Sequence, residues 1–285
     1  MKALITGASG QLARALVACA PDRIALRALP SAALDITDRA AVEAAIRNHS
    51  PDLVINAAAY TKVDAAEDMP DLAERVNHLA VANLAHATQQ NGARLIQIST
   101  DFVFDGMAPH AYRPDAPTAP LNIYGKTKLA GEAAAGPTAL IVRTSWLYSA
   151  YGNNFVATML RLMREKPTLR VVDDQIGTPT SAHALAEVIW DLAATDHTGI
   201  LHYSDSGVAS WYDFAVAIME EAVVLGLLDS PAEVLPIPAS EYSTPAKRPH
   251  FSVLDKRDTI AAIGRVPAHW RANLRDVLKA IKTDG

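Results

Sequence analysis

Short apolar runs alternate with longer amphipathic stretches along most of the chain. Residues 3–6 are followed by an amphipathic stretch over 11–20, and residues 53–58 by another over 71–91. A strand-length apolar run followed by a segment of helical period is typical of a βα unit. Further strands are predicted from the same pattern over residues 24–29, 94–99, 139–144 and 169–172.

The apolar runs are nearly continuous in hydrophobicity, which is typical of strands buried on both faces of a parallel sheet. We therefore predict the α/β class, with a doubly wound, Rossmann-type parallel sheet and helices on both faces. After about Ser145 the alternation weakens and prolines become frequent. This change predicts a second, smaller C-terminal substrate domain.

The boundary between the two domains depends on one later segment. Residues 169–172, followed by a helical stretch over 181–194, resemble one more βα unit that returns to the main sheet. We therefore predict a dinucleotide-binding domain and a smaller substrate-binding domain. The first takes residues 1–145 and about 169–195, and the second takes about 146–168 and 196–285.

A glycine turn follows the first predicted strand. Gly7 suits a tight turn, and Gly10 lets the backbone approach a pyrophosphate at the N-terminus of the next helix. Ala13 stands where such turns often have a third glycine, a change that helix packing accepts. Two glycines before a helix also occur in ordinary turns, but this position in the chain favours a dinucleotide site. The predicted cofactor contacts here are Gly7, Gly10, Gln11 and Leu12.

The end of the second predicted strand bears on the choice between NAD and NADP. A site that prefers NAD uses an acidic residue there to bind the ribose 2′-hydroxyl. This strand has no acidic residue and one arginine, Arg27, which suits the 2′-phosphate of NADP, although a solvated surface arginine fits equally. NADPH or NADH is therefore the expected cofactor, with a slight preference for NADPH. Adenine and ribose contacts are predicted at Asp35, Ile36, Ala58, Ala59 and Tyr60.

Tyr124 and Lys128 form the candidate catalytic pair. Their spacing puts both side chains on one face of a helix, about one turn apart. An ammonium group favours a neighbouring phenolate, so we expect Lys128 to lower the pKa of Tyr124. Thr100 ends a predicted strand, where its hydroxyl can hydrogen-bond the carbonyl that Tyr124 protonates. The Tyr-x-x-x-Lys pattern also occurs by chance, but its order after the glycine turn and this strand end favours a carbonyl reductase.

Composition and charge exclude several other classes of protein. The net charge of −5 and the absence of a long Lys/Arg run argue against nucleic-acid binding. Cys19 is the one cysteine, so the chain has no intrachain disulfide, which fits a reducing compartment and a cytoplasmic location. No apolar run is long enough for a membrane span. The nine histidines show no ligand spacing, so we predict no metal site.

With these motifs, the chain resembles the extended short-chain dehydrogenase/reductase family over nearly its whole length. Within that family, the resemblance is to reductases of dTDP-linked 4-keto-6-deoxy sugars. It implies hydride transfer from the nicotinamide to C4 of the keto sugar. It also implies that Tyr124 gives the proton, that Lys128 orients the nicotinamide ribose and that Thr100 polarises the carbonyl. The matching stretches are residues 7–13, 56–67, 99–106, 124–132, 143–146, 152–155, 174–180 and 244–249.

The same resemblance implies where the nucleotide-sugar substrate binds. Asp101, Phe102 and Trp146 match positions where the family contacts the sugar. Lys247 and Arg248 form the densest basic pair in the second half of the chain and would face the substrate pyrophosphate. A solvated loop is the competing interpretation of this basic pair.

Three alternative functions remain at this stage. Related dehydratases carry a glutamate where this chain has Phe102, so reduction is favoured over dehydration. Nucleotide-sugar epimerases share the Tyr-x-x-x-Lys pattern and are weakly disfavoured by the missing acidic residue of the second strand. A non-catalytic regulatory subunit, of the kind that serves a methionine adenosyltransferase, needs no catalytic triplet. We expect a monomer or a homodimer, and the sequence does not choose between them.

Overall fold

The computed structural model describes residues 1–284. The strands are β1 (Lys2–Thr6), β2 (Ala25–Leu29), β3 (Leu53–Asn56), β4 (Arg94–Thr100), β5 (Leu140–Thr144), β6 (Leu147–Tyr148), β7 (Thr168–Val172), β8 (Ile176–Gly177), β9 (Thr180–Ser181), β10 (Gly199–His202), β11 (Ala209–Ser210) and β12 (Glu233–Ile237). The α-helices are α1 (Gln11–Ala18), α2 (Arg39–His49), α3 (Val63–Asp68), α4 (Pro70–Glu74), α5 (Ala80–Gln90), α6 (Ile123–Ala135), α7 (Phe155–Glu165), α8 (Ala182–Ala193), α9 (Trp211–Val224), α10 (Arg257–Ile263) and α11 (Trp270–Asp284).

The main sheet has six strands in the order β10-β5-β4-β3-β1-β2. Every neighbouring pair in it is parallel. The chain therefore builds the sheet outward in both directions from β1 and β3, and the predicted doubly wound parallel sheet is confirmed. In such a sheet, ligands bind at the carboxyl ends of the strands where the winding reverses.

Both faces of the sheet are covered by helices. Successive strand residues point to opposite faces, so Leu4 and Ile5 of β1 pack into different cores. Ile5 packs with the apolar sides of α1 and α8, including Leu16 and Ile189. Leu4 packs with α2 and α5, including Ile46. Burial on both faces explains why these strands have nearly continuous apolar sequences.

A separate hydrophobic core lies in the second half of the chain. It is formed by the apolar sides of α7, α9 and α11 together with β7, around residues such as Phe214 and Leu274. The prediction that residues 169–172 return to the main sheet is wrong. Strand β7 instead pairs in parallel with β12 in a two-stranded sheet. The pairing partner lies far along the chain, so the local sequence pattern did not reveal it.

The sixth strand of the main sheet is β10, which pairs with β5. The predicted boundary had placed its residues in the smaller domain. We therefore propose the same division with one exchange, β7 in the smaller domain and β10 in the dinucleotide-binding domain. No helix within residues 1–284 is long and apolar enough to cross a membrane.

The helical stretch predicted over residues 71–91 contains a π-helical turn. Helix α4 passes into this turn at Arg75–Leu79 and continues as α5. A π-turn adds one residue to the helical repeat and often occurs at a functional site. Here it places the buried side chain of Asn77 between the loop after β3 and α6.

Candidate active site

A cavity of about 490 Å³ opens at the carboxyl ends of four sheet strands. It lies where the winding of the sheet reverses, between the turn after β1 and the beginning of α6. Among the residues that line it are Gly10, Gln11, Leu12, Ala58, Ala59, Thr100, Asp101, Phe102, Tyr124, Lys128, Trp146, Trp211 and Arg248. The tertiary structure therefore brings the glycine turn and the candidate catalytic pair to one cavity.

The glycine turn has the backbone geometry that the sequence predicted. Gly7 has a φ of 70°, and a Cβ atom there would lie 2.8 Å from the backbone of Ala58. A larger residue would therefore clash with the loop after β3. Gly10 is the N-cap residue of α1, and no side chain within residues 1–284 caps the first N–H groups of this helix. Free N–H groups at a helix start suit an anion such as a pyrophosphate.

Tyr124 and Thr100 meet at the floor of the cavity. Tyr124 lies in the first turn of α6, and Thr100 is the last residue of β4. The Thr100 hydroxyl lies close enough to the phenol to lower its pKa. The Thr100 hydroxyl also donates to Oδ1 of Asp101 at 3.0 Å and accepts from the N–H of Phe102 at 3.2 Å. These contacts fix the Thr100 hydroxyl near Tyr124, at the place where a carbonyl oxygen could bind.

The pKa of Tyr124 moves opposite to the direction that the sequence predicted. Burial raises the pKa of Tyr124 to about 12, and the nearby carboxyl of Asp101 adds to the rise, whereas the Thr100 hydroxyl opposes it. The net shift is therefore a rise and not the expected fall, because the cost of removing the phenolate from water is larger than the stabilisation from its neighbours. Tyr124 is therefore protonated at neutral pH, the form that a proton donor needs.

Lys128 is buried in the next turn of α6. Its Nζ donates to the carbonyl of Ile98 at 2.6 Å, so the ammonium group is anchored to β4. Burial lowers the pKa of Lys128 to about 8, and the negative charge of Glu132 acts in the opposite direction. Glu132 is itself held by the guanidinium of Arg143 at 2.7 Å and by the hydroxyl of Ser99.

Asp101 places a buried carboxyl beside the same two hydroxyls. Burial raises the pKa of Asp101 to about 6, although the hydrogen bond from Thr100 and the nearby Ser252 side chain act to lower it. The ring of Phe102 meets the ring of Tyr124 edge to face, with the centroids 5.6 Å apart. An apolar ring therefore occupies the position where related dehydratases carry a carboxylate.

Helix α6 is fixed at its start by two side chains. The Asn122 side chain accepts from the N–H of Gly125 at 2.8 Å, and Glu67 of α3 accepts from the N–H of Ile123 at 2.8 Å. Gly125 packs against the segment after β4, since a Cβ atom there would lie 2.2 Å from the carbonyl oxygen of Phe102. The close approach keeps Tyr124 beside the end of β4.

A second cavity, of about 650 Å³, lies next to the first. Trp211 and Arg248 line both cavities. The guanidinium of Arg248 forms a two-point ion pair with Asp64 of α3, at 2.7 and 3.1 Å. Burial opposes ionisation of Asp64, but the hydrogen bonds from Arg248 and from the N–H of Ala246 outweigh it and lower the pKa of this carboxyl. Arg248 is thus a charged, oriented group at the junction of the two cavities.

The family model for the RmlD substrate binding domain matches residues 1–283, which is nearly the whole chain. The chain belongs to this family. It is 41% identical to the dTDP-4-dehydrorhamnose reductase of Aggregatibacter actinomycetemcomitans, over 96% of this chain and 97% of that protein. The resemblance to a reductase that the motifs indicated is therefore confirmed at the level of the family.

Solved structures agree with this RmlD-family assignment. The dTDP-4-dehydrorhamnose reductase of Bacillus anthracis, solved in complex with NADP, is 37% identical with a TM-score of 0.92, covering 98% of this chain and 99% of that one. The UDP-glucose 4-epimerase of Thermus thermophilus, solved in complex with NAD, has a TM-score of 0.82 over 99% of both chains at 21% identity. At that identity the likeness shows the fold alone.

Several predicted contacts of this RmlD-family chain lie outside the first cavity. Arg27 is exposed on β2, and Asp35 is exposed and accepts hydrogen bonds from the N–H and hydroxyl of Thr37. Ile36 is buried in the core of one sheet face. The other predicted contacts that do not line this cavity are Gly7 in the glycine turn, Tyr60 in the loop after β3 and Lys247, which is exposed and uses its carbonyl to bind Asn122.

The sequence did not predict three groups that support the site. Asn77 carried no signal because its role depends on the π-turn, and Trp211 begins a helix that had not been predicted. The third group is the ion pair of Glu132 with Arg143, which joins α6 to β5. The four-residue spacing of Lys128 and Glu132 was an available signal, because it places both side chains on one face of a helix. No group of three or more His, Cys, Asp and Glu side chains that could hold a metal ion is found in the described part of the chain.

Proposed function

We propose that this chain reduces dTDP-4-dehydro-L-rhamnose to dTDP-L-rhamnose with NADPH or NADH. The observation that carries the proposal is the joint presence of Thr100, Tyr124 and Lys128 at one cavity, opposite the glycine turn of α1. A protein that only bound a nucleotide would need the turn but not the three reactive side chains. The names of the RmlD-family relatives supply the identity of the sugar and its nucleotide.

The residues around the glycine turn fit a dinucleotide. Gly7 allows the turn to pack against Ala58 without a clash, and the N–H groups at the start of α1 suit a pyrophosphate. Arg27, exposed at the edge of the sheet, suits a 2′-phosphate. When bound, the nicotinamide supplies the hydride.

Each catalytic side chain has one role in this mechanism. The phenol of Tyr124 gives its proton to the C4 oxygen of the sugar, so the carbonyl gains a hydride on carbon and a proton on oxygen. Thr100 hydrogen-bonds the same oxygen and positions it beside the phenol. Lys128, anchored on Ile98, places its charge near the phenolate that remains and lowers the cost of its formation.

The nucleotide end of the substrate extends into the second cavity in this proposal. That cavity combines aromatic side chains with cations, which suits a base and a diphosphate. Arg248 lies at the junction, where the diphosphate would pass from one cavity to the other. The relevant side chains of the second cavity are Phe155, Lys166, Arg170 and Tyr242.

The proposed reaction carries further assignments of location, oligomeric state and sugar-binding residues. We propose that the protein acts in the cytoplasm as a monomer or a homodimer and requires neither nucleic acid nor membrane. The sugar contacts are Asp101, Phe102 and Trp146, which line the first cavity. Epimerisation is the rival function, since epimerases use the same kind of residue pair.

The test is oxidation of NADPH, and separately of NADH, followed by absorbance with freshly generated dTDP-4-dehydro-L-rhamnose. The control substrate is the dTDP-4-keto-6-deoxyglucose isomer. We expect rapid oxidation with the rhamnose-configured ketone alone. Tight cofactor binding without oxidation of either cofactor would contradict the proposal and favour an epimerase or a regulatory subunit.

A further inference from the structure

Trp146 has a backbone conformation that is rare for a residue with a side chain. Its φ is 47°, and Ser50 is the other non-glycine residue with a positive φ in the described part of the chain. A large side chain in this region is strained and persists only where the surroundings hold it, which is often at a functional site. Trp146 lies two residues after the end of β5 and lines the first cavity.

Two neighbours hold the indole of Trp146. The first neighbour is Gly177, where a Cβ atom would lie 2.6 Å from the indole, so only glycine leaves room for the ring. The indole also stacks on Trp211, with the ring centroids 3.5 Å apart and the planes inclined by 5°. The ring of Phe155 supports Trp211 in turn, at 4.7 Å between centroids. The orientation of Trp146 is therefore set by contacts and not by its local sequence.

Trp211 belongs to a different part of the fold from Trp146. It is the first residue of α9, which the Ser210 and Asp213 side chains cap reciprocally. Helix α9 packs in the core of the second half of the chain, whereas Trp146 follows a strand of the main sheet. Both indoles pack against this second core, so the stack ties the segment after β5 to the start of α9 at the cavity. Trp211 also lines both cavities, so its ring lies between the two ends of the proposed substrate site.

We propose that Trp211 is a positioning residue that fixes the indole of Trp146 as the wall of the sugar end of the cavity. This inference rests on the proposed function. A planar wall of fixed orientation restricts how the sugar ring can lie relative to Thr100 and Tyr124. Since a small displacement of a reacting group can lower the rate roughly 100-fold, the stack controls the efficiency with which the ketone is reduced.

A direct measurement of the stack uses far-ultraviolet circular dichroism of the whole protein without ligands. The electronic transitions of two stacked indoles couple, which gives a pair of neighbouring circular-dichroism bands of opposite sign. We expect this pair of bands in the wild type and its loss in Trp211→Leu. The matched control is Trp190→Phe, because Trp190 lies in the core of the sheet with its Nε1 donating to Leu16, away from the cavity. That variant is expected to keep this pair of bands.

The kinetic test compares Trp211→Leu with the wild type, in the native background and in a Trp146→Leu background. We expect kcat/KM for dTDP-4-dehydro-L-rhamnose to fall roughly 10- to 100-fold in the native background, with KM for NADPH unchanged. In the Trp146→Leu background the same substitution is expected to cost much less, because its effect passes through the missing indole. Trp211→Phe keeps an aromatic ring against Phe155 and is expected to lose less, and it replaces Trp211→Leu if that variant does not fold.

The outcomes separate this inference from the proposed function. An active wild type together with a folded Trp211 variant of equal kcat/KM would overturn the positioning role alone. An equal loss in both backgrounds would overturn it too, because Trp211 would then act without Trp146. A wild type that reduces no keto sugar removes the proposed function and this inference together.

Discussion

Asn77 holds both backbone groups of Tyr60. Its Oδ1 accepts from the N–H of Tyr60 at 2.9 Å, and its Nδ2 donates to the carbonyl of Tyr60 at 3.1 Å. The same Nδ2 donates to the hydroxyl of Thr127, which lies between Tyr124 and Lys128 on α6, at 3.2 Å. One buried amide thus links the loop that is proposed to bind the cofactor with the helix that carries the catalytic pair.

We expect Asn77→Ala to weaken cofactor binding and to destabilise the protein. The substitution leaves the backbone groups of Tyr60 without their partner, at a cost of about 1–3 kcal/mol for each group that stays buried. Cofactor titration and urea unfolding measure the two effects. Asn91→Ala is the matched control, since the Asn91 side chain donates to the carbonyl of Ala87 at the end of α5, away from the cavity and from the predicted cofactor contacts. Unchanged cofactor affinity in a folded Asn77→Ala protein would contradict the linking role.

Tyr124→Phe tests the proton donor. The ring and its contact with Phe102 remain, and only the hydroxyl is lost. We expect kcat to fall about 10²- to 10⁴-fold, the usual contribution of a general acid, with cofactor affinity nearly unchanged. Steady-state reduction of the keto sugar and a separate cofactor titration measure these quantities. Full activity in this variant would remove Tyr124 from the mechanism.

The pH dependence of the reaction should follow the ionisation of Lys128. Burial lowers the pKa of Lys128 to about 8, so the ammonium group is present below that pH and is lost as the pH rises through it. We therefore expect kcat/KM for the ketone to fall as the pH rises through about 8. Glu132→Gln removes the charge that raises the pKa of Lys128, so the fall should begin at a lower pH.

The Glu132 experiment needs a check of folding. Glu132→Gln leaves the guanidinium of Arg143 buried without its carboxylate, which costs about 3–5 kcal/mol of stability. Circular dichroism at the assay temperature shows whether the variant is folded. The control is Glu165→Gln, which removes an exposed ion pair with Arg161 at the end of α7. An alkaline limb at the same pH in folded Glu132→Gln would argue against the link to Lys128.

Asp205 should make stability depend on pH. The carboxyl is fully buried, and burial raises its pKa to about 7. The nearby Asn273 side chain, the hydrogen bond from the N–H of Ser181 and the charge of Lys256 oppose this rise. The folded protein therefore binds this proton more tightly than the unfolded chain does. The resulting stabilisation is present at low pH and is lost as the pH rises through about 7.

Asp205→Asn removes this titration. We expect the unfolding free energy of the variant, relative to the wild type, to be higher at about pH 8 than at about pH 6. Urea unfolding at both pH values measures the difference. Hydrogen bonds from Arg275 and Arg271 lower the pKa of Glu221 to about 2, so Glu221→Gln should have nearly the same effect at both pH values. A relative stability of Asp205→Asn that does not change with pH would show that Asp205 does not titrate in this range.

The sequence by itself determined the features that depend on neighbouring residues. The alternation of apolar runs and amphipathic stretches identified the strands of the main sheet up to β5, because each strand is buried on both faces. The turn at Gly7 and the helical spacing of Tyr124 and Lys128 are equally local, so the dinucleotide turn and the candidate catalytic pair could be predicted. The resemblance in these same stretches indicated the family.

Only the tertiary structure decided the features that depend on distant contacts. Strand β7 pairs with β12, which lies more than sixty positions later, and no local pattern encodes that choice. The pKa of Tyr124 rises because the folded protein removes the phenol from water, which spacing alone cannot predict. The stack of Trp146 on Trp211 likewise exists only because the fold brings the start of α9 beside the segment after β5. Local periodicity fixes which elements form, whereas burial and packing between distant elements fix the chemistry of the site.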